Sequence, residues 1–232
     1  MSRTLNSILA ELPPEERRWV EARARGMARE MMTGAQSQGE PRGANRTAQL
    51  VELARGSGWL MDALRAVRSL GLASWCVGAG AIRNLVWDAL SGHRQPSALS
   101  DVDVAFFDPV DLRGERDAEL QRRLSERLPG LPWEVTNQAA VHLWFESYFG
   151  HAVAPLRSIE EAVGSWPEYA TSVALWLDAD DTIHVIAPHG LDDLFNMVVR
   201  RNPTRASEQN FRDRTAAKRY AERWPGVTIV PL

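Results

Sequence analysis

Two aspartates, Asp101 and Asp103, flank a valine in the run LSDVDVAFFD. On an extended strand the side chains alternate, so both carboxylates point to one face and Val102 and Val104 to the other. Two residue rises set the acids about 6.6 Å apart at Cα. Like charges this close raise each other's pKa unless a cation lies between them. Mg²⁺ or Mn²⁺ removes the conflict, because such an ion takes one or two carboxylates together with waters and substrate phosphates. Upstream, Gly78-Ala79-Gly80 ends an apolar run and opens a helical segment. Small residues at a strand-to-helix turn let backbone N–H groups and the positive helix end approach a phosphate. The stretch from Trp75 to Asp108 thus pairs a phosphate-type turn with a metal-type strand.

Each of these signals has a plain structural alternative. A second D-x-D, Asp178 and Asp180, lies in LDADDTIHV, which reads as a polar turn between two strands and needs no function. The sequence Gly78-Ala79-Gly80 is equally a tight turn. What sets Asp101 and Asp103 apart is their place at the start of a strand whose continuation, Val104 to Phe107, is apolar and expected to be buried. Glu134 sits between Trp133 and Val135, where an acid is costly unless it is paired or bound to metal, or else faces outward. Arg83, on the helix after the turn, reaches either a triphosphate and the carboxylates or a structural ion pair.

The positioning elements follow from pattern. Residues 1 to about 33 read as amphipathic helices, with Leu5, Ile8 and Leu9 on one face and Trp19, Val20, Met27, Met31 and Met32 among alternating charges. They are expected to pack on the domain or to form a homodimer. Thr33 to Arg46 is rich in Gly, Gln, Ser and Asn and is read as a flexible connection, giving an extension over 1–46 and a main domain over 47–232. Leu50 to Leu70 predicts two helices broken at Gly56-Ser57-Gly58. Ser74 to Gly78 is the first strand, Ala81 to Leu90 a helix, Glu115 to Leu128 a second helix, and Pro132 to Val135 a strand beside the first ones. Ser172 to Leu177 and Thr182 to Ile186 form a hairpin over the Asp178–Asp181 turn. From Arg200 to Arg223 eight basic residues face three acidic ones, interleaved with Phe211, Tyr220 and Trp224; the simplest reading is a solvated helix face.

With 232 residues, 44% hydrophobic and 25% charged, the chain can bury one sizeable core. A net charge of −3 and a pI near 6.0 argue against bulk nucleic-acid binding as the main role. The single cysteine, Cys76, excludes an intrachain disulfide and reads as a buried small hydrophobe. No run approaches a membrane span and the N-terminus lacks a signal-peptide core, so a cytoplasmic protein is expected.

The segments GAGAIRNLVWD and LSDVDVAFFD resemble the nucleotidyltransferase superfamily of DNA polymerase beta and the CCA-adding enzymes. There an apolar residue, a Gly-Gly or Gly-Ser pair, a helix and a D-h-D strand follow one another. Ala79 to Asn84 is similar to the G-G-A-V-R-D of the CCA-adding head. The span from about Trp59 to Trp224, through PWEVTNQAAVHLWFE, SWPEYAT and APHGLDDLFNMVVRRNP, resembles a bacterial nucleotidyltransferase-like family of undetermined substrate. The chain departs from the pattern at Ala79 and at Asn84, where relatives have Gly and Asp, in the twenty residues between Gly80 and Asp101, and at Ala140, a frequent Arg.

The resemblance implies an α/β (α+β) fold, a small mixed sheet with flanking helices. It implies an NTP substrate, Asp101, Asp103 and Glu134 as metal-binding catalytic residues, and Gly78, Ala79, Gly80, Arg83 and Asn84 around the nucleotide. The reaction implied is transfer of an NMP to an acceptor hydroxyl with two Mg²⁺, the acceptor being a small molecule, protein or RNA. The alternatives are a silent nucleotide-binding or partner-binding module, a D-x-D glycosyltransferase using nucleotide sugars, and a nucleic-acid-modifying transferase resting on the basic C-terminal face.

Overall fold

The computed structural model describes residues 42–232. Its helices are α1 (Arg42–Gly56), α2 (Gly58–Arg68), α3 (Gly80–Leu90), α4 (Gly114–Arg127), α5 (Phe145–Phe149), α6 (Ile159–Gly164), α7 (Asp192–Phe195), α8 (Glu208–Lys218) and α9 (Tyr220–Arg223). Its strands are β1 (Trp75–Gly78), β2 (Val102–Phe106), β3 (Trp133–Asn137), β4 (Ala174–Leu177), β5 (Ile183–Ile186), β6 (Val198–Val199) and β7 (Thr228–Ile229). The first five strands form one sheet in the order β3-β2-β1-β4-β5, with β2 and β3 parallel and the other neighbours antiparallel. Strands β6 and β7 pair separately. The mixed sheet with flanking helices is the α/β architecture expected.

One boundary differs from the sequence reading. Residues 42–46, assigned there to the linker, form the first turns of α1, where Leu50 and Ala54, one turn apart, are fully buried and hold the helix to the domain. The amphipathic segment before residue 34, with its homodimer reading, lies outside the described residues. Among the described residues no helix is long and apolar enough to cross a membrane.

Strand alternation sorts the sheet's two faces. Trp75, Val77, Val102, Val104, Phe106, Trp133, Val135, Leu175 and Leu177 point into the main core, joined there by Leu60 and Leu64 of α2, Ile82 and Trp87 of α3 and Leu124 of α4. The alternate residues Cys76, Ala105, Ala174 and Ile186 point the other way, into a smaller cluster closed by Ile159 and Val163 of α6. Fully burying one such large apolar side chain stabilises by about 1.5–3 kcal/mol, so the first face dominates folding. The second face is covered only in part, and its uncovered end carries the acids.

The C-terminal segment docks on α3. Trp87 meets Tyr220 and Trp224 edge-on, with ring centroids 5.6 and 5.2 Å away. Trp224 Nε1 donates to Asp88 at 2.7 Å and Trp87 Nε1 to the Leu194 carbonyl at 2.8 Å. This packing fixes α8, the element between, beside the start of β2.

Candidate active site

Across the sheet, Gly78 of β1 pairs with Asp103 of β2, and Asp103 with Glu134 of β3. Directly paired residues share a face, so Asp103 and Glu134 stand side by side. Asp101, two residues before Asp103, precedes β2 and comes close to the turn: its Oδ1 lies 3.5 Å from where a Cβ on Gly80 would stand. Ala79, Asp103, Glu134, Thr136, Trp166 and Arg214 are among the residues lining a cleft of about 140 Å³ over this end of the sheet.

The carboxylates here are in conflict. Burial, then Asp101, then Glu134 push the Asp103 carboxyl up to about 7, against the pull of Arg214 and Lys218. Glu134 is exposed at the sheet end. Asp101 accepts from Ser100 Oγ at 3.0 Å, and Lys218 Nζ stands 3.8 Å from its Oδ2. Among the described residues, no three His, Cys, Asp or Glu side chains gather closely enough to hold a metal by themselves. The oxygen-only donors and the unneutralised pair fit a hard divalent ion that draws its remaining ligands from water and phosphate.

The strand-to-helix turn is tight. Ala79 has φ 53° and ψ −121°, the values of the first central residue of a type II′ turn, where glycine is favoured. Its N–H donates to the Val173 carbonyl at 3.1 Å, and its carbonyl accepts from Arg83 N at 3.1 Å. A Cβ on Gly78 would stand 2.6 Å from Trp166 Cη2 and 2.8 Å from Ala174 Cβ. Gly78 is therefore small so that the Trp166 ring can lie on the strand and wall the cleft.

Arg83 and Asn84 lie behind the turn, 2% and 4% exposed, and neither lines the cleft. The Arg83 guanidinium sits among Tyr220, Trp87 and Trp224, at 4.9, 5.4 and 5.7 Å from their ring centroids. It donates to Asn84 Oδ1 at 2.8 Å and to Tyr220 Oη at 3.3 Å. Burial lowers its pKa, and Tyr220 and Glu168 counter that. In this arrangement both residues support the site from within.

A family model described as "Nucleotidyltransferase" matches residues 65–229. The chain belongs to that nucleotidyltransferase family. A solved structure titled as revealing a CCA-adding enzyme head domain is 29% identical, with a TM-score of 0.68 over 80% of this chain and 96% of that one. Its fold is shared. Structures titled "tRNA-processing enzyme" are 18–19% identical at TM-scores of 0.41–0.43; apo form I is covered over 45% of its length, by 83% of this chain. No curated protein matches.

In this nucleotidyltransferase the sequence reading missed two contributions to the cleft. Arg214, part of the basic run read as a solvated face, lines the cleft, and Lys218, four residues on, reaches Asp101. The i, i+4 spacing of two cations on a helix anchored by Phe211 and Tyr220 was the available signal. Glu168, to which the sequence reading gave no role, is fully buried. An acid between Trp166-Pro167 and Tyr169-Ala170 in an apolar setting needs a partner, and that was its signal. Just past Glu134, Gln138 lines the cleft, whereas Asn137 is buried and holds the loop after β2 through the Asp108 amide and the Asp108 and Asp111 carbonyls.

Proposed function

We propose that this chain transfers a nucleoside monophosphate from an NTP to an acceptor hydroxyl, releasing pyrophosphate. The observation that carries the reading is Asp103. Its carboxyl is half-buried, set beside Glu134 and near Asp101, and raised by burial and then by both acids at the mouth of a cleft whose other edge is a strand-to-helix turn. Such a site is unfavourable alone and suited to a cation carried in with phosphate. Family membership and the likeness to a CCA-adding head support the same reaction class.

In the step, the acceptor oxygen bonds to the α-phosphorus as the bond to pyrophosphate breaks. The electron pair of that bond leaves with pyrophosphate, and the hydroxyl proton passes to solvent. Two Mg²⁺ or Mn²⁺ ions, when bound, supply Lewis-acid charge to the attacking and leaving oxygens. Asp101 and Asp103 would hold them, and the exposed Glu134 would serve the acceptor side. Gly78, Ala79 and Gly80 bring the backbone against the phosphates, and Trp166 limits the cleft opposite. Arg83 acts from behind the turn, holding Asn84 and Tyr220 in place.

Calorimetric binding of non-hydrolysable analogues of the four NTPs, with and without Mg²⁺, tests this. Metal-dependent binding that disappears in Asp101→Ala/Asp103→Ala supports the site. Absence of binding to the wild-type chain refutes the reading. Binding without pyrophosphate release across acceptor pools of small molecules, proteins and RNA makes it a silent nucleotide-binding module. Preference for a nucleotide sugar with release of a nucleoside diphosphate makes it a glycosyltransferase.

A further inference from the structure

Behind the cleft lies a buried polar cluster that the carboxylate site does not explain. Glu168, whose side chain is 1% exposed, accepts from Tyr220 Oη at 2.8 and 2.9 Å, from Arg214 Nε at 3.0 Å and from Thr171 Oγ1 at 3.3 Å. Tyr220 in turn accepts from the buried Arg83. Three stretches distant in sequence thus meet at one carboxylate: the turn after α6, the α8–α9 segment and, through Tyr220, α3. An unpaired buried carboxylate is costly, so this convergence is a requirement of the fold.

The cluster also carries a surplus. Arg83 and Arg214 are two cations against the single charge of Glu168. Arg83 is enclosed by aromatic rings. Arg214 differs: its side chain is 28% exposed and lines the cleft beside Asp103 and Glu134. Glu168 takes Nε, and among the described residues the two Nη amines have no hydrogen-bond partner. Burial works against the Arg214 charge, and Glu168, Tyr220 and Asp103 more than offset it. A guanidinium fixed by Nε and open at both Nη presents the forked donor face that matches phosphate oxygens.

We infer that Glu168 is a positioning residue that, with Tyr220, aims Arg214 into the cleft as the side-chain contact for the nucleotide's triphosphate. The inference rests on the nucleotide-transfer reading and names the part of the chain that grips the phosphates opposite the Gly78–Gly80 turn. The C-terminal helices gain a role from it, because Tyr220 and Trp224 lock them onto α3 so that Arg214 reaches the site.

Calorimetric binding of a non-hydrolysable ATP analogue and of inorganic tripolyphosphate, with Mg²⁺, tests this on the wild type and on Arg214→Ala, Glu168→Gln and the double variant. Thermal unfolding of each checks the fold. Arg214→Ala is expected to weaken both ligands about tenfold, the loss of a charge-assisted hydrogen-bonding partner. Arg214→Lys, which keeps charge without the fork, recovers part of that. Glu168→Gln weakens binding several-fold alone and adds little once Arg214 is gone, because its effect runs through Arg214. A merely structural Glu168 gives the same loss in both backgrounds, which overturns the inference. Tyr220→Phe, which keeps the ring packing and removes the hydroxyl, repeats the cycle where Glu168→Gln does not fold. Wild-type binding that Arg214→Ala leaves intact overturns this inference alone. Failure of the wild type to bind either ligand overturns the nucleotide-transfer reading beneath it.

Discussion

The chain carries the pattern D-x-D twice, and the two copies have opposite electrostatics. Asp178 accepts from the Asp180 and Thr182 amides at 3.0 and 2.9 Å and pairs with His184 Nε2 at 3.0 Å. The His184 bond, then the Thr182 amide, hold its carboxyl below the ordinary aspartate value. The Asp178 carboxylate is satisfied within its own hairpin. Asp103 sits between an acid two residues back and an acid on the next strand, and burial and those charges raise it to about 7. The same three letters close a hairpin in one place and in the other leave carboxylates that Lys218 and Arg214 offset only in part. What decides is the neighbouring strand: β3 brings Glu134 beside Asp103, whereas β5 brings His184 within reach of Asp178.

Removing the carboxylates separates the copies most sharply. Asp101→Ala/Asp103→Ala is expected to weaken Mg²⁺-dependent nucleotide binding at least about 100-fold, roughly 3 kcal/mol. Asp178→Ala/Asp180→Ala should leave it within about twofold, since no ligand contact is lost and the change lies in a remote turn. Equal losses measured by calorimetry would erase the functional distinction between the motifs.

Stability should move in opposite senses. Between about pH 4 and pH 7 the unfolded chain has already ionised Asp103 while the metal-free folded chain keeps its proton. The folded state then binds more protons, so this group makes stability fall as pH rises through that window. Asp103→Asn should accordingly stabilise the metal-free protein at pH 8, on the order of 2 kcal/mol with allowance for solvent at the cleft, and have little effect near pH 4. Asp178 has the reverse sign: its depressed pKa gives stability that is present at neutral pH and lost as pH falls below the ordinary aspartate range. Asp178→Asn should lower the unfolding temperature at pH 7. Thermal melts of the two variants at pH 4, 5.5 and 8 measure this, and a shared sign at pH 8 contradicts the assignment.

The acids around Asp103 can be ranked in the same experiment. Asp101 outweighs Glu134 in raising Asp103. Asp101→Asn should therefore move the midpoint of the pH-dependent stability loss downward by more than Glu134→Gln does. The opposite order would place Glu134, not Asp101, as the closer electrostatic partner.

The sequence carried much of this and stopped at identifiable points. The strand-turn-helix from Trp75 to Leu90 and the D-h-D strand were legible because alternation and small-residue turns are local, and the crossover pattern put β3 beside the first strands, while its parallel register with β2 came from the structure. Glu134 was left between a ligand role and an outward-facing position; it lies exposed, and the strand register that sets it beside Asp103 is a tertiary fact. Arg214, Lys218 and Glu168 were not legible, because their meaning comes from tertiary contacts: α8 is an ordinary charged helix until Tyr220 and Trp224 dock it against α3. Arg83 stayed divided between two readings for the same reason, since the rings that enclose it include two from more than 130 positions away. Residues 42–46 look like linker by composition, and only the burial of Leu50 and Ala54 shows why the helix extends back over them.

The backbone beside each motif offers the finest comparison. Ala79, ahead of the functional copy, and Asp181, after the structural one, both have positive φ, 53° and 60°. At Asp181 the residue fits, since Asp tolerates the left-handed region and its carboxylate pairs with Arg65 and Arg68, both at 2.7 Å. At Ala79 the side chain brings steric cost and no compensating bond, in a conformation that glycine adopts freely. Ala79→Gly should relieve that cost, less the entropy lost on ordering a glycine, for a net gain of about 1 kcal/mol. Asp181→Gly should lose stability, because it removes two ion pairs while relieving little strain. Denaturant unfolding of both variants decides the matter: a destabilising Ala79→Gly would mean that the methyl group, which borders the cleft, is held by packing worth more than the strain it causes.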